Sequence, residues 1–509
     1  MTTGWRGNGT GNTGVTYNTS GVVFNGSADN VGAVTDLVQP IAATLEDAII
    51  TMVVNVSPEF KDSGANLQIF AQLKGDWSKG EWNCMTENTA LTASTDVTLN
   101  CTISEADKKF NQTTNDVQLG IQAKGTAPTG TVTIKSATVT MVAPDTGPVY
   151  SAGVDSLRDL ADFTIGVAVS NNDLPSYNVL TNSNEKALVE KHFEQMTAGN
   201  IMKMSYLRPT EGNFTFTNAD AFVDYASEKN MTVHGHALVW HASYQVPGFM
   251  KDWAGSATDF ISALETHITT VVDHFEAKGN VPSWDVVNEA LTDGNPSNFR
   301  TTDSTFYVKS GNSAVYIEKA FQAARNAAPT AILYYNDYNI EANGAKMDKL
   351  EEMLTDFQTR NIPIDGVGFQ MHVCLNYPSA ASIAAAMKRV VNKGLKVKIT
   401  ELDVAINQPY CDNYPANKVS SFTQSIALLQ KKRYCDIISA YLEEVPAAQR
   451  GGISVWGTTD ANTWLDDLYK TQFENKKISW PLLFDSNYND KPALRGFADG
   501  LQGIDCTNQ

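Results

Sequence analysis

Two glutamates stand where short apolar runs end. The run SWDVV closes on Asn288-Glu289, and LKVKIT closes on Glu401-Leu402-Asp403. Other runs end in polar or aromatic groups: His236 and Trp240 in HGHALVWH, Gln370 and His372 in GFQMH, and Trp456 after GGISV. A lone glutamate after an apolar run is ordinarily a solvated loop residue. Two of them at equivalent run ends, among His, Asn, Gln and Trp, are the equipment for cleaving a glycosidic bond. One carboxylic acid protonates the leaving oxygen while the second carboxylate attacks or activates water. A separation of about 5–5.5 Å makes the second group a nucleophile and retains the anomeric configuration. Their environments must differ, so that one keeps its proton while the other is bare. Trp240, Trp456 and Trp464 offer flat apolar faces to the C–H faces of sugar rings.

Such groups need a scaffold that gathers run ends at one place. From residue 155 onward, apolar runs near 163–170, 201–204, 232–239, 283–288, 331–335, 365–371, 396–401 and 452–456 read as strands. Amphipathic stretches at 184–197, 257–278, 312–328, 343–360, 379–393 and 418–445 read as helices between them. This alternation predicts a (β/α)8 TIM barrel over 155–509, longer than the ~250 residues typical of that fold. In it, catalytic groups collect at the carboxyl ends of the strands.

Residues 1–144 have a different grammar, rich in Gly, Asn, Thr and Ser with no long helical pattern. Strands are predicted at 48–56, 66–73, 116–123 and 131–142, which suggests an all-β jelly-roll sandwich. A linker is placed at 145–154, where prolines and glycines cluster. Alternation puts Gln68, Phe70 and Gln72 on one strand face and Leu67, Ile69 and Ala71 on the other. Gln118 and Gln122 oppose Val117, Leu119 and Ile121 in the same way. With Trp77 and Trp82 as a stacking platform, these glutamines suit a glycan chain. No carboxylate pair ends these strands, so the module is read as binding rather than catalysing.

Lys plus Arg number 38 against 56 Asp plus Glu, a net charge of −18. That balance argues against nucleic acid or an anionic membrane as partner, since both need a basic footprint. It suits a neutral polysaccharide. No 18-residue apolar run is present to span a bilayer. The first residues carry neither the basic nor the apolar segment of a signal peptide, so a secretory signal is either absent or already removed; a secreted or extracytoplasmic protein is expected. None of the six cysteines forms a CxxC, which argues against structural zinc. Cys84 and Cys101 are close enough in sequence for a short disulfide; pairing among Cys374, Cys411, Cys435 and Cys506 stays open.

Taken together, SWDVVNEAL, VKITELDV, HGHALVWH, YYNDYN, GFQMH and SVWGTTDANTW resemble glycoside hydrolase family 10, the endo-1,4-β-xylanases. The similarity covers 155–509 down to LLFDSNYNDKPAL. It implies retaining endo-hydrolysis of xylan and xylo-oligosaccharides, with Glu289 as acid/base and Glu401 as nucleophile, and neither cofactor nor metal in catalysis. It further implies that Asn288 bonds the sugar 2-hydroxyl, and that His372, oriented by Asp403, bonds the nucleophile. Asn200, Lys203, His236, Trp240 and Gln370 match glycone contacts, Trp456 and Trp464 wall the cleaved sugar, and Tyr338 stacks on the leaving-group side. One position departs: the family's Glu-Asn-x-Met-Lys reads Gly199-Asn200-Ile201-Met202-Lys203 here, which predicts a weakened distal glycone subsite. The first module is similar to the jelly-roll carbohydrate-binding domains of families 4, 9 and 22, a group in which a structural calcium is common. A monomer is expected. A retaining β-1,4-glucanase is the alternative enzyme; a non-catalytic glycan-binding barrel is disfavoured by the intact Glu289 and Glu401.

Overall fold

The computed structural model describes residues 4–9, 14–36, 49–73, 76–102, 117–140, 150–171, 177–410, 418–474 and 476–506. The chain divides into two compact units, Met1–Thr146 and Gly147–Gln509, each with its own apolar core.

Among the described residues, the first unit holds two five-stranded antiparallel sheets. One runs Trp5–Asn8, Gly32–Asp36, Val117–Lys124, Asn66–Leu73, Asp76–Thr86; the other runs Val15–Asn18, Gly21–Asn25, Thr131–Thr140, Ile49–Val56, Asp96–Thr102. The period-two pattern sets their inner faces: Leu67, Ile69, Ala71, Leu119 and Ile121 share a core with Phe24, Ile50, Met52 and Val54. A Cys84–Cys101 disulfide joins the edge strands Asp76–Thr86 and Asp96–Thr102 of the two sheets.

The second unit is an eight-stranded parallel barrel. Its strands are Ile165–Val169, Gln195–Ala198, Thr232–Gly235, Ser283–Asn288, Ile332–Asp337, Gly366–Phe369, Lys396–Ala405 and Arg450–Val455, and pairing of the last with the first closes it. Helix Ala257–Glu276 shows how the outer ring forms. Ser256 and Asp259 make a reciprocal capping box at its start. Phe260, Leu264, Ile268, Val271, Val272 and Phe275 then recur at helical spacing along its buried stripe. Between this helix and the strands, Trp284 packs against Phe275 and covers Gly235, where a Cβ would lie 2.1 Å from the indole.

One expected strand is displaced. The second barrel strand is Gln195–Ala198, not 201–204, and falls where the sequence pattern extended a helix. Ile201, Met202 and Met204 are buried because a turn and the short helix Met204–Leu207 fold beneath the strand ends, which imitates a strand's apolar run. Gln195 points polar atoms into the barrel yet is paired, accepting from Lys398 Nζ at 2.7 Å. Of the expected linker, 145–149 lie outside the described residues; Ala152 and Val154 already pack in the barrel core. Cys435 pairs with Cys506, and Cys374 is disulfide-bonded; Cys411 lies outside the described residues. Among those residues, no helix is long and apolar enough to cross a membrane.

Candidate active site

The strand ends open into a cleft of about 1010 Å³. Glu289, Glu401, Asn288, His372, Asn200, Lys203, His236, Trp240, Tyr338, Gln370, Trp456 and Trp464 all line it, as does Gly199. Asp403 sits behind the lining, fully buried.

Glu289 follows the fourth strand with φ at +57°, a left-handed conformation that costs a non-glycine residue about 1–3 kcal/mol. Its carboxylate accepts from Trp240 Nε1 at 2.8 Å, Gln370 Nε2 at 2.9 Å and Asn288 Nδ2 at 3.2 Å. Glu401 belongs to the seventh strand and is buried. It accepts from Asn336 Nδ2 at 2.7 Å and His372 Nε2 at 3.2 Å. Two amides link the carboxylates through one residue. Asn336 Nδ2 also reaches Asn288 Oδ1 at 2.9 Å, and Gln370 Nε2 reaches the same oxygen at 3.2 Å. Thr400 Oγ1 donates to Asn336 Oδ1 at 2.7 Å, which turns the Asn336 amine toward the glutamate.

The electrostatics around Glu401 favour its charged form. Burial pushes the Glu401 carboxyl up, but the His372 hydrogen bond and the fields of His236 and His372 outweigh it, leaving its pKa lowered. Burial likewise opposes charge on His372, yet Asp403 and then Glu401 raise it to about 10. His372 is thus an imidazolium at neutral pH, with Nδ1 2.8 Å from Asp403 Oδ2. Trp464 Nε1 donates to the same oxygen at 2.9 Å, which ties this tryptophan to the charge network. His236 Nδ1 lies 2.9 Å from buried Asp285. His236, Asp285 and Glu401 are the one described group of three side chains with metal-ligand chemistry in reach. Their atoms are engaged with one another and with Asn336 and His372.

Elsewhere in the cleft, Lys203 Nζ stands 4.7 Å over the Trp240 ring and 3.2 Å from Asn200 Oδ1. A Cβ on Gly199 would meet only Val169 O, at 3.7 Å, so a side chain has room. Lys346 Nζ covers one face of the Tyr338 ring at 3.5 Å from its centroid. Tyr338 therefore has a single face left for stacking.

Sequence reasoning missed several residues. Asn336 and Asp285 sit on strands whose ends were already recognised, and the YYNDYN motif was the available signal for the first. Tyr244, 72% exposed and edge-on to Trp240 at 5.6 Å, came without any periodic signal. Glu185 borders the cleft with its carboxyl pushed up to about 7 by burial, against hydrogen bonds from Thr458 and Tyr488.

In the module, Gln68, Gln72, Gln118 and Gln122 share the expected face but are not open groove donors; all four are buried. Gln72 Nε2 donates to Gln118 Oε1 at 3.0 Å, and Gln118 Nε2 to Asp36 at 2.9 Å. Gln122 Nε2 donates to Gln68 Oε1 at 2.7 Å, and Gln68 to the Trp82 carbonyl. Adjacent amides on paired strands satisfy one another, a cross-strand effect that reading single strands does not reveal. Trp82 stacks on Phe70 at 4.9 Å between centroids, so one ring face is taken. The Trp77 side chain lies outside the described residues.

Residues 1–157 match the model for the carbohydrate binding domain of family 15, which specifies the module's group more closely than its likeness to families 4, 9 and 22. Over 513 residues the chain is 69% identical to endo-beta-1,4-xylanase Xyn10C of Cellvibrio japonicus, covering all of this chain and 84% of that protein. It is 44% identical over 364 residues to endo-1,4-beta-xylanase A of Cellvibrio japonicus (strain Ueda107), covering 69% of this chain and 57% of that one. A mutant xylanase 10C from Cellvibrio japonicus, solved with xylopentaose, aligns over 100% of this chain and 99% of its own at 69% identity and a TM-score of 0.72. Residues 156–500 match the model for glycosyl hydrolase family 10, and with both carboxylates in one cleft at the strand ends, the chain belongs to that family.

Proposed function

We propose that Glu289 and Glu401 together perform the double displacement by which this endo-1,4-β-xylanase hydrolyses internal linkages of xylan with retention. The observation that carries this is the unlike treatment of two carboxylates in one cleft. Glu401 is held bare by an imidazolium and an amide, while Glu289 sits half-buried under neutral donors from Trp240, Gln370 and Asn288. Glu401 attacks the anomeric carbon as Glu289 gives its proton to the departing glycosidic oxygen. In the second step Glu289 removes a proton from water, which attacks the same carbon and releases Glu401. Asn288, fixed by Asn336 and Gln370, bonds the sugar 2-hydroxyl; such a bond strengthens toward the transition state and raises the rate rather than only the affinity. Trp456 and Trp464, edge-on and tilted against His372, wall the cleaved sugar and leave little room for a hydroxymethyl group, which favours xylose.

The enzyme acts outside the cytoplasm, a reading supported by its disulfides, and works as a monomer whose net charge of −18 disfavours nucleic acid or an anionic membrane as partner. The module binds the same polysaccharide, a reading supported by its match to the carbohydrate binding domain of family 15.

The test is reducing-sugar release from xylan with an early product anomer assay. Glu289→Ala is expected to lower kcat about 10²–10⁴-fold, Glu401→Ala to abolish measurable turnover, and the first product to carry the retained configuration. An inverted first product removes the mechanism.

A further inference from the structure

The residues after Glu289 fold back on themselves. Thr292 N donates to Asn298 O and Arg300 N to Ala290 O, both at 2.8 Å, so Arg300 returns beside the glutamate. Its guanidinium then makes three separate bonds. Nε donates to the Glu289 carbonyl at 2.9 Å, Nη2 to the Tyr338 hydroxyl at 2.8 Å, and Nη1 to Asp303 at 2.8 Å. The side chain is only 13% exposed. A planar fork held at three points has one orientation, which an ammonium could not reproduce.

We infer that Arg300 is a positioning residue that holds the Glu289 proton in register with a leaving sugar stacked on Tyr338. The inference rests on the roles given above to Glu289 and Tyr338. The main chain of Glu289 is the point that needs holding, because its φ of +57° is unfavourable by itself. Its N–H is fixed on one side by Asn336 O at 2.9 Å, and its carbonyl on the other by Arg300. Relaxation from that conformation would swing the carboxyl away from Trp240 and Gln370. Tyr338 is clamped from the opposite direction. Its hydroxyl donates to Asp293 Oδ2 at 2.7 Å while accepting from Arg300, and Lys346 lies on its back face. Acid and leaving-group platform therefore hang from one rigid cation. Proton transfer needs about 2.6–3.2 Å between heavy atoms, and a misplacement near 1 Å can cost ~10²-fold.

The experiment compares kcat/KM, which reports the first displacement, on phenyl and 2,4-dinitrophenyl β-xylobiosides. Phenoxide leaves poorly without a proton; dinitrophenoxide leaves without help. Arg300→Gln is expected to lower the phenyl value about tenfold or more and the dinitrophenyl value by about twofold or less, with Arg300→Lys between it and the parent. A folded Arg300→Gln that loses both values equally overturns the inference, as a merely structural role would behave that way. Should Arg300→Gln not fold, Tyr338→Phe, which removes the hydroxyl's bonds to both Arg300 and Asp293, carries the test together with Asp293→Asn, which leaves the Arg300 bond in place; a loss without leaving-group selectivity in Tyr338→Phe, or one equalled in Asp293→Asn, overturns it. Glu289→Ala runs alongside. If it shows no leaving-group dependence, the acid assignment itself falls and takes the role of Arg300 with it; if it does and Arg300→Gln does not, only the inference about Arg300 falls.

Discussion

At Glu401 two opposing effects meet in one carboxyl. Burial favours the proton, and the imidazolium of His372 expels it; the imidazolium in turn exists because Asp403 lies 2.8 Å away. His372 keeps its charge fully below its ordinary value of 6.5 and loses it only as pH rises through about 10. Asp403→Asn removes the largest source of that charge. The His372 ring, followed by NMR, is then expected to titrate about 1–3 pH units lower. Without the cation Glu401 takes a proton more readily, so the acid limb of kcat/KM moves to higher pH. Limbs that stay in place would show that Asp403 acts only as a steric support. Glu289, Glu401, Asn288, His372 and Asp403 were legible because each lies within a short motif at a strand end. Asn336, although it lies in YYNDYN, and Arg300 were not assigned, since their work is done through bonds to residues 65 and 11 positions away.

At the scale of elements, the barrel was read from alternating apolar runs, and most strands fall where those runs lie. The second did not, because burial beneath a turn gives the same apolar signature as burial within a sheet. The corrected strand, Gln195–Ala198, puts Gly199 directly at its carboxyl end, facing the cleft. Its neighbourhood has no obstacle to a larger side chain, as only Val169 O comes near. Gly199→Glu is therefore expected to fold normally and to add one hydrogen bond from a charged group to the distal glycone sugar. KM for short xylo-oligosaccharides should fall about tenfold, with kcat unchanged and cleavage shifted along the oligomer. An unchanged KM and product pattern would mean that a neighbour already serves this subsite.

At the scale of the molecule, a net charge of −18 and two separately cored units describe an enzyme for a neutral polymer carried with its own binder. Tethering raises the local concentration of catalyst at an insoluble chain without any new catalytic contact. Deleting residues 1–150 leaves Ala152 and Val154 packed in the barrel core, and leaves Ala152 N bonded to Asp490 at 3.0 Å. The truncated protein is expected to lose activity on insoluble xylan severalfold while hydrolysing xylohexaose at the parent rate. Equal losses on both substrates would instead assign the module a structural duty. From sequence alone came the two-part organisation, the barrel, the carboxylate pair and the core face of the sandwich strands. These depend on periodicity and local motifs, which a linear reading can see. Only the tertiary structure decided which amides hold each carboxylate, that the module's glutamines satisfy one another, and that Arg300 reaches both Glu289 and Tyr338. Hydrogen bonds are directional and short, and only folding decides which distant residues come within their reach.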